Sequence, residues 1–99
     1  VFHDDLDVEF GKIKAKFGGS HAGHNGIASI DKFIGKDYSR VRIGIGRPDP
    51  KISISDFVLM NFNEDEIEKM NLITQNIVDS ISMLLDKKLE LFSSTVNNK

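Results

Sequence analysis

The sequence predicts an α/β fold in which one mixed β-sheet is flanked by helices. Two stretches, 12–17 and 38–45, alternate apolar and polar residues, which is the pattern of half-buried strands. Two others, 27–34 and 63–84, repeat apolar residues every three or four positions, as amphipathic helices do. The resulting order of strand, strand, helix, strand, helix is typical of a single mixed-sheet domain.

The first elements lead to a glycine-rich loop. Residues 1–7 indicate the end of a strand followed by an acidic loop. In the strand over 12–17, the apolar side chains face inward and three lysines form an outward row, Lys12, Lys14 and Lys16. Four glycines within residues 18–26 permit backbone conformations that a Cβ atom forbids. A helix follows and is predicted to stop at Gly35.

The strand over 38–45 has one apolar and one basic face. The apolar face carries Val41, Ile43 and Ile45, and the opposite face carries Arg40, Arg42 and Gly44. Residues 46–50 form a loop, because they contain a glycine and both prolines. Residues 56–60 are apolar but show no period that assigns them to a strand or a helix.

The C-terminal part is predicted to be one long helix and a tail. Asn63 and Glu66 have the spacing of a capping box, in which each side chain satisfies a backbone N–H of the other. An apolar stripe then continues to Leu84. Residues 89–92 add at most one helical turn, and the polar residues 93–99 are expected to be a disordered tail.

Composition and charge exclude several classes of protein. The chain has no cysteine, so disulfide frameworks, thiolate metal ligands and cysteine nucleophiles are ruled out. No apolar run approaches the ~20 residues that cross a bilayer, so no membrane association is expected. The net charge of −2 conceals an asymmetry, because residues 12–51 carry nine Lys or Arg against three Asp. A basic middle segment thus lies between two acidic ones.

The histidines are the first candidates for chemistry. His3, Asp4 and Asp5 near the N-terminus, with His21 and His24 in the glycine loop, could form a histidine–aspartate acid/base pair. They could also bind zinc, although a spacing of three residues within a loop is not the usual one for ligands. The third interpretation is that they are ordinary polar residues.

The glycine loop opens onto a helix N-terminus, where free N–H groups favour an anion. Asn25 lies at this point. Its amide could stabilise an oxyanion or hold a water molecule, or it could simply cap the helix.

The outward lysines, together with Arg40, Arg42 and Arg47, could follow a phosphate backbone. A basic row on an exposed strand is more often a solvated face or protects a sheet edge from aggregation. No aromatic residues are interleaved with it, so base stacking is not indicated.

Three motifs occur in order along the chain. They are HDDLD at 3–7, GGSHAGHNG at 18–26 and RVRIGIGRP at 40–48. Together, and with the apolar segment 56–59 before a capped helix, they resemble the bacterial-type peptidyl-tRNA hydrolase family. The resemblance covers nearly the whole chain.

The resemblance implies a cytoplasmic enzyme that cleaves the ester between a peptide and tRNA, using water and no metal or cofactor. Asp4 matches the aspartate that assists the family's catalytic histidine. Asn25 matches an asparagine that holds the attacking water and the substrate, and His24 matches the substrate-gating histidine beside it. The residues that match the family's grip on tRNA phosphates are Lys14, Lys16 and Arg42.

The N-terminal half of the family pattern, with the catalytic histidine, has no counterpart in this sequence. We therefore expect residues 1–99 to be the C-terminal part of one three-layer domain, monomeric when complete and inactive alone. Val1 and Phe2 are expected to expose apolar surface that the missing half, a partner or a second copy covers, so the fragment is expected to self-associate. The alternative is a non-catalytic RNA-binding protein of the same fold, as in organelle splicing. Asp4 and Asn25 favour the enzyme, because RNA binding requires neither.

Overall fold

The structure, a computed structural model, describes residues 1–98. Within this range the chain forms an α/β arrangement of three strands and five helices, and it thereby confirms the predicted fold class. In chain order these are β1 (Phe2–Asp5), β2 (Ile13–Phe17), α1 (Asn25–Ile34), β3 (Ser39–Gly44), α2 (Ile54–Leu59), α3 (Glu64–Asp79), α4 (Ile81–Leu85) and α5 (Leu89–Asn97).

The three strands form one mixed sheet in the order β1-β3-β2. The central strand β3 runs parallel to β1 and antiparallel to β2. In this register Arg42 lies opposite His3 on one side and opposite Lys14 on the other. Because successive side chains alternate between the two faces of a sheet, these three residues share one face.

The opposite face of the sheet carries the hydrophobic core. Ile13 and Val41 are both almost completely buried there, against side chains of α3 and α5. The buried helix residues of this cluster are Ile73, Ile77, Phe92 and Val96. One face of the sheet is therefore committed to the core, which leaves the other available for charged residues.

The long C-terminal helix is shorter than its apolar stripe suggests. It begins as predicted, since the Asn63 side chain accepts the Glu66 N–H and the Glu66 side chain accepts the Asn63 N–H. The prediction of one helix to Leu84 is wrong, because α3 ends at Asp79 and the short helix α4 follows. The break lies at Ser80, which is almost fully buried and has non-helical backbone angles.

The expected disordered tail is a helix as far as Asn97. Phe92 and Val96 anchor α5 in the core. On its polar side, the Ser93 Oγ accepts the Ala15 N–H at 2.8 Å. The Asn97 amide bonds both the N–H and the C=O of Ile13, at 2.8 Å each. These side chains satisfy the outer edge of β2 in place of a fourth strand, and Lys99 lies outside the described residues.

Gly44 allows the segment after β1 to cross the end of β3. A Cβ atom at this position would lie 2.7 Å from the carbonyl oxygen of Val8 and 2.8 Å from its Cγ1 atom. The crossing is fixed by hydrogen bonds from Gly11 N–H to Gly44 O and from Gly46 N–H to Val8 O, both 3.0 Å long. The acidic loop that follows β1 is consequently held beside the C-terminal end of β3.

The β1 side of the molecule exposes apolar side chains. Val1 and Phe2 are 42% and 50% exposed, and in the described range no strand pairs with the outer edge of β1. Phe33 and Ile34 of α1 are also exposed. The expected apolar exposure at Val1 and Phe2 is therefore present in the structure.

Candidate active site

A cleft of about 940 Å³ opens at the C-terminal end of β1. Its walls are the segment His3 to Asp7, the glycine loop, basic side chains of β2 and β3, and one side of α2. Ligands of open α/β sheets commonly bind at the carboxyl ends of the parallel strands, which is where this cleft lies. The helix α2, which overlaps the apolar segment 56–60 of unassigned structure, contributes Ile54 and Val58 to the wall.

The central contact of the cleft joins Asp4 to His24. The His24 Nε2 and Asp4 Oδ1 atoms are 2.7 Å apart, although the two residues are twenty positions apart in sequence. His24 is also the N-cap of α1, where its Nδ1 accepts the Ile27 N–H at 3.1 Å. Because Nδ1 is an acceptor, the proton of the neutral ring is on Nε2, which donates to Asp4. The other carboxylate oxygen of Asp4 accepts no hydrogen bond from the described residues.

His3 packs beside this pair. Its Nδ1 donates to the Asp4 carbonyl oxygen at 2.8 Å, and its ring lies edge-on to that of His24, with centroids 5.2 Å apart. Burial lowers the pKa of His3 below its ordinary value and outweighs the opposing hydrogen bond to the Asp4 carbonyl. The His3 Nε2 atom is buried and accepts no hydrogen bond from the rest of residues 1–98.

Asn25 does not cap the helix, because His24 does. It is instead the first residue of α1, and its exposed side chain lines the cleft. Its amide makes no hydrogen bond within the described chain and is available to a ligand. The sequence did not indicate that His24 would take the cap position, since serine, threonine, aspartate and asparagine are the usual N-caps.

The basic residues separate into free and paired groups. Lys14 and Lys16 are exposed and form no ion pair within residues 1–98, and Lys16 lines the cleft. Arg42 donates from Nε to Asp5 at 2.6 Å. Arg47 donates from both Nε and one terminal nitrogen to Asp7.

Arg40 is not on the accessible basic face, contrary to the sequence interpretation. It is 3% exposed and pairs with Asp31 of α1 at 3.0 Å. Its other terminal nitrogen donates to the Ser20 carbonyl in the glycine loop, and its guanidinium lies over the Tyr38 ring. Arg40 thus ties the glycine loop and α1 to β3, and it has no donor free for a phosphate on the outside.

Three aspartates hold arginines, a role that the sequence interpretation assigned to none of them, although Asp5 lies in the first candidate cluster. Asp5, Asp7 and Asp31 each hold one arginine. The one signal for two of them was the charge asymmetry, because the acidic segment 1–11 faces the basic strands in the fold. Nothing in the sequence connects Asp31 with Arg40.

The histidines do not form a metal site with the surrounding acids. Both ring nitrogens of His24 are occupied, and the His21 Nδ1 accepts the Gly23 N–H. Across residues 1–98, no three His, Cys, Asp or Glu side chains are grouped so that they could hold an ion. The same residues contain no helix long and apolar enough to span a membrane.

A statistical description of the family "Peptidyl-tRNA hydrolase" matches residues 1–99, the entire chain. The chain belongs to the peptidyl-tRNA hydrolase family. The relative from Pelagibacter ubique, named peptidyl-tRNA hydrolase, is 72% identical over 99 residues, which are all of this chain and 53% of the relative. The relative of that name from Rickettsia typhi is 45% identical over 96 residues, covering 97% of this chain and 52% of the relative.

Solved structures of the family share the fold. The crystal structure of the peptidyl-tRNA hydrolase from Acinetobacter baumannii superposes with a TM-score of 0.82 at 33% identity. Its Arg119Gln mutant superposes with a TM-score of 0.83 at the same identity. Each superposition covers 97% of this chain and 49% of the solved chain. The chain therefore spans about half the length of these peptidyl-tRNA hydrolases.

Proposed function

We propose that this chain, joined to the half of the peptidyl-tRNA hydrolase domain that it does not span, hydrolyses the ester between a peptide and tRNA. The observation that carries the proposal is the 2.7 Å bond between Asp4 and His24 in a cleft that Asn25 also lines. An aspartate, an imidazole and an amide at one end of a sheet are the groups that acyl transfer to water requires.

Asp4 is proposed to act through its second carboxylate oxygen. One oxygen is engaged by His24, and the other is left for the imidazole of the family's catalytic histidine, which lies outside this chain. That histidine takes a proton from the attacking water, while Asp4 fixes its tautomer and stabilises the resulting imidazolium. The chain alone is accordingly proposed to be inactive.

Asn25 and His24 are proposed to hold the substrate. The unbonded Asn25 amide can position the attacking water or donate to the oxyanion that forms on the ester carbonyl. His24 is held between the α1 backbone and Asp4, so its ring has a fixed position at the edge of the cleft. The gating role that the family resemblance implies for His24 would therefore require both hydrogen bonds to break when the ring turns aside.

Lys14, Lys16 and Arg42 are proposed to contact tRNA phosphates. All three lie on the face of the sheet opposite the core, and the two lysines have no acidic partner among the described residues. Lysine and arginine side chains that contact phosphates give an affinity for a nucleic-acid backbone that is independent of sequence and falls with salt. We place this activity in the cytoplasm, as the family resemblance implies.

The proposal is tested in a chimera. The part of the Pelagibacter ubique relative that this chain does not cover is joined in front of Val1, and release of an acetylated amino acid from tRNA is measured. The chimera is expected to hydrolyse this substrate, and Asp4→Ala is expected to lower kcat by about a hundredfold or more. Asp37→Ala, at an exposed aspartate that does not line the cleft, is the matched control. An Asp4→Ala chimera with unchanged kcat would exclude the role proposed for Asp4.

A further inference from the structure

Arg40, Arg42 and Arg47 are each held by a different aspartate, but they use different donors. Both terminal nitrogens of Arg40 donate hydrogen bonds inside the protein, one to Asp31 and one to the Ser20 carbonyl. Arg47 donates hydrogen bonds from Nε and from one terminal nitrogen to Asp7. Arg42 donates only from Nε, and neither of its terminal nitrogens has a partner in the range 1–98. It is therefore the one of the three whose two terminal nitrogens are both unbonded among the described residues and can together bind a phosphate.

The carboxylate that holds Arg42 is itself fixed. Its Oδ2 atom accepts the Arg42 Nε–H at 2.6 Å, and its Oδ1 atom accepts the Asp7 N–H at 2.7 Å. The Asp5 side chain is 11% exposed. Burial raises the pKa of Asp5, but the hydrogen bonds from Arg42 and from the Asp7 N–H outweigh it, so that the net pKa is lowered. Asp5 is thus a charged acceptor with both oxygens in use.

The hydrogen bond to Asp5 fixes Arg42 beside a lysine that repels it. Across β3 and β2 it lies opposite Lys14, and like charges directly opposite each other repel. The arginine side chain also has several rotatable bonds, so an untethered Arg42 would lose considerable conformational freedom on binding a phosphate. The bond to Asp5 at the inner edge removes part of that freedom before the ligand arrives.

We propose that Asp5 is a positioning residue that presents the terminal nitrogens of Arg42 to a tRNA phosphate. This inference rests on the proposed phosphate contact of Arg42 and adds a specific role for its acidic partner. It predicts an effect opposite in sign to simple electrostatics, because removing a negative charge near a nucleic-acid surface normally strengthens binding. Asparagine cannot replace Asp5, since its single carbonyl oxygen can accept from Arg42 or from the Asp7 N–H at these two positions, but not from both.

The test measures binding of a fluorescently labelled tRNA transcript to the chain itself, by anisotropy over a range of salt concentrations. Asp5→Asn is expected to weaken binding by about three- to tenfold and to reduce the salt slope by about one, since one phosphate contact is lost. Arg42→Gln is expected to weaken binding, and adding Asp5→Asn to it is expected to change nothing further. Asp37→Asn is the matched control, because it removes the same charge at an exposed residue that does not line the cleft, and it is expected to leave binding equal or tighter.

Arg42→Lys provides a second test that leaves Asp5 intact. Lysine keeps the positive charge, but it lacks the Nε–H that donates to Asp5 and the planar guanidinium group. The Arg42→Lys variant is therefore expected to bind tRNA about as weakly as Asp5→Asn. Far-UV circular dichroism checks that each variant is folded.

Four results would overturn the inference. The first is that Asp5→Asn binds tRNA as tightly as the parent or more tightly, and the second is that Asp5→Asn leaves the salt slope of binding unchanged. The third is that Asp5→Asn weakens binding further when it is added to Arg42→Gln. The fourth is that Arg42→Lys binds with the affinity of the parent. Equal binding by Arg42→Gln and the parent would instead exclude the phosphate contact of Arg42, and with it both proposals about this residue.

Discussion

The Asn97 side chain gives the sharpest test of how the C-terminal helix is held. Its amide makes two hydrogen bonds to the backbone of Ile13, each 2.8 Å long and across 84 positions of sequence. Each such bond contributes about 0.5–1.5 kcal/mol, so Asn97→Ala is expected to lower the free energy of unfolding by about 1–3 kcal/mol. Asn97→Asp should cost more, because a carboxylate cannot donate to the Ile13 carbonyl and places an oxygen against it.

The measurement is equilibrium unfolding in urea, followed by far-UV circular dichroism. For a domain of this size, the expected loss corresponds to a fall in the midpoint on the order of 1 M urea. Asn98→Ala is the matched control, since the exposed Asn98 amide bonds only the Ser94 Oγ, at 3.4 Å. If all three variants unfolded at the same midpoint as the parent, the Asn97 side chain would not hold the edge of β2 as described.

Three further predictions concern other parts of the molecule. Asp31→Ala leaves the buried Arg40 unpaired and is expected to lower the free energy of unfolding, measured in urea, by about 3–5 kcal/mol. A loss below about 1 kcal/mol would contradict the importance of this ion pair. The parent chain should lose stability as the pH falls below about 6.5, the ordinary pKa of histidine, because the pKa of His3 is lower in the folded chain than in the unfolded chain, which therefore binds more protons there. His3→Gln is expected to reduce this pH dependence, and an identical dependence in both chains would count against it. The chain should self-associate in sedimentation velocity through its apolar β1 side, and Phe2→Lys should shift it towards the monomer; a parent that is monomeric at all concentrations would refute this.

The sequence was most informative where structure depends on near neighbours. The capping box of Asn63 and Glu66 joins residues three apart, and it starts α3 where predicted. The alternation of β2 and β3 predicted that Ile13 and Val41 enter the core, because the period of a strand fixes its two faces. It was wrong for Phe17, which was expected to face inward with Ile13 but is 57% exposed at the end of β2. The fold class and the family followed from these local patterns and from short motifs.

Elements that depend on distant partners were not predictable. Residues 93–97 are polar apart from Val96 and indicated a tail, but Ser93 and Asn97 face the unsatisfied backbone of β2, which no local pattern can reveal. Arg40 alternates outward with Arg42, yet it is buried because Asp31 and Tyr38 enclose it. The bond between Asp4 and His24 also depends on the folded position of the glycine loop, so the sequence identified the two residues without showing that they meet.

The distance along the chain between β2 and α5 has a consequence for synthesis of the protein on the ribosome. The serine that covers the Ala15 N–H is made 78 residues after it. At about 5–20 residues per second, some 4 to 16 seconds pass before this partner exists. During that interval the outer edge of β2 is open to other extended segments, including those of neighbouring nascent chains. Lys14 and Lys16, which alternate along this strand, repel such segments when these carry the same charge, and they therefore help to protect the half-made protein from mispairing.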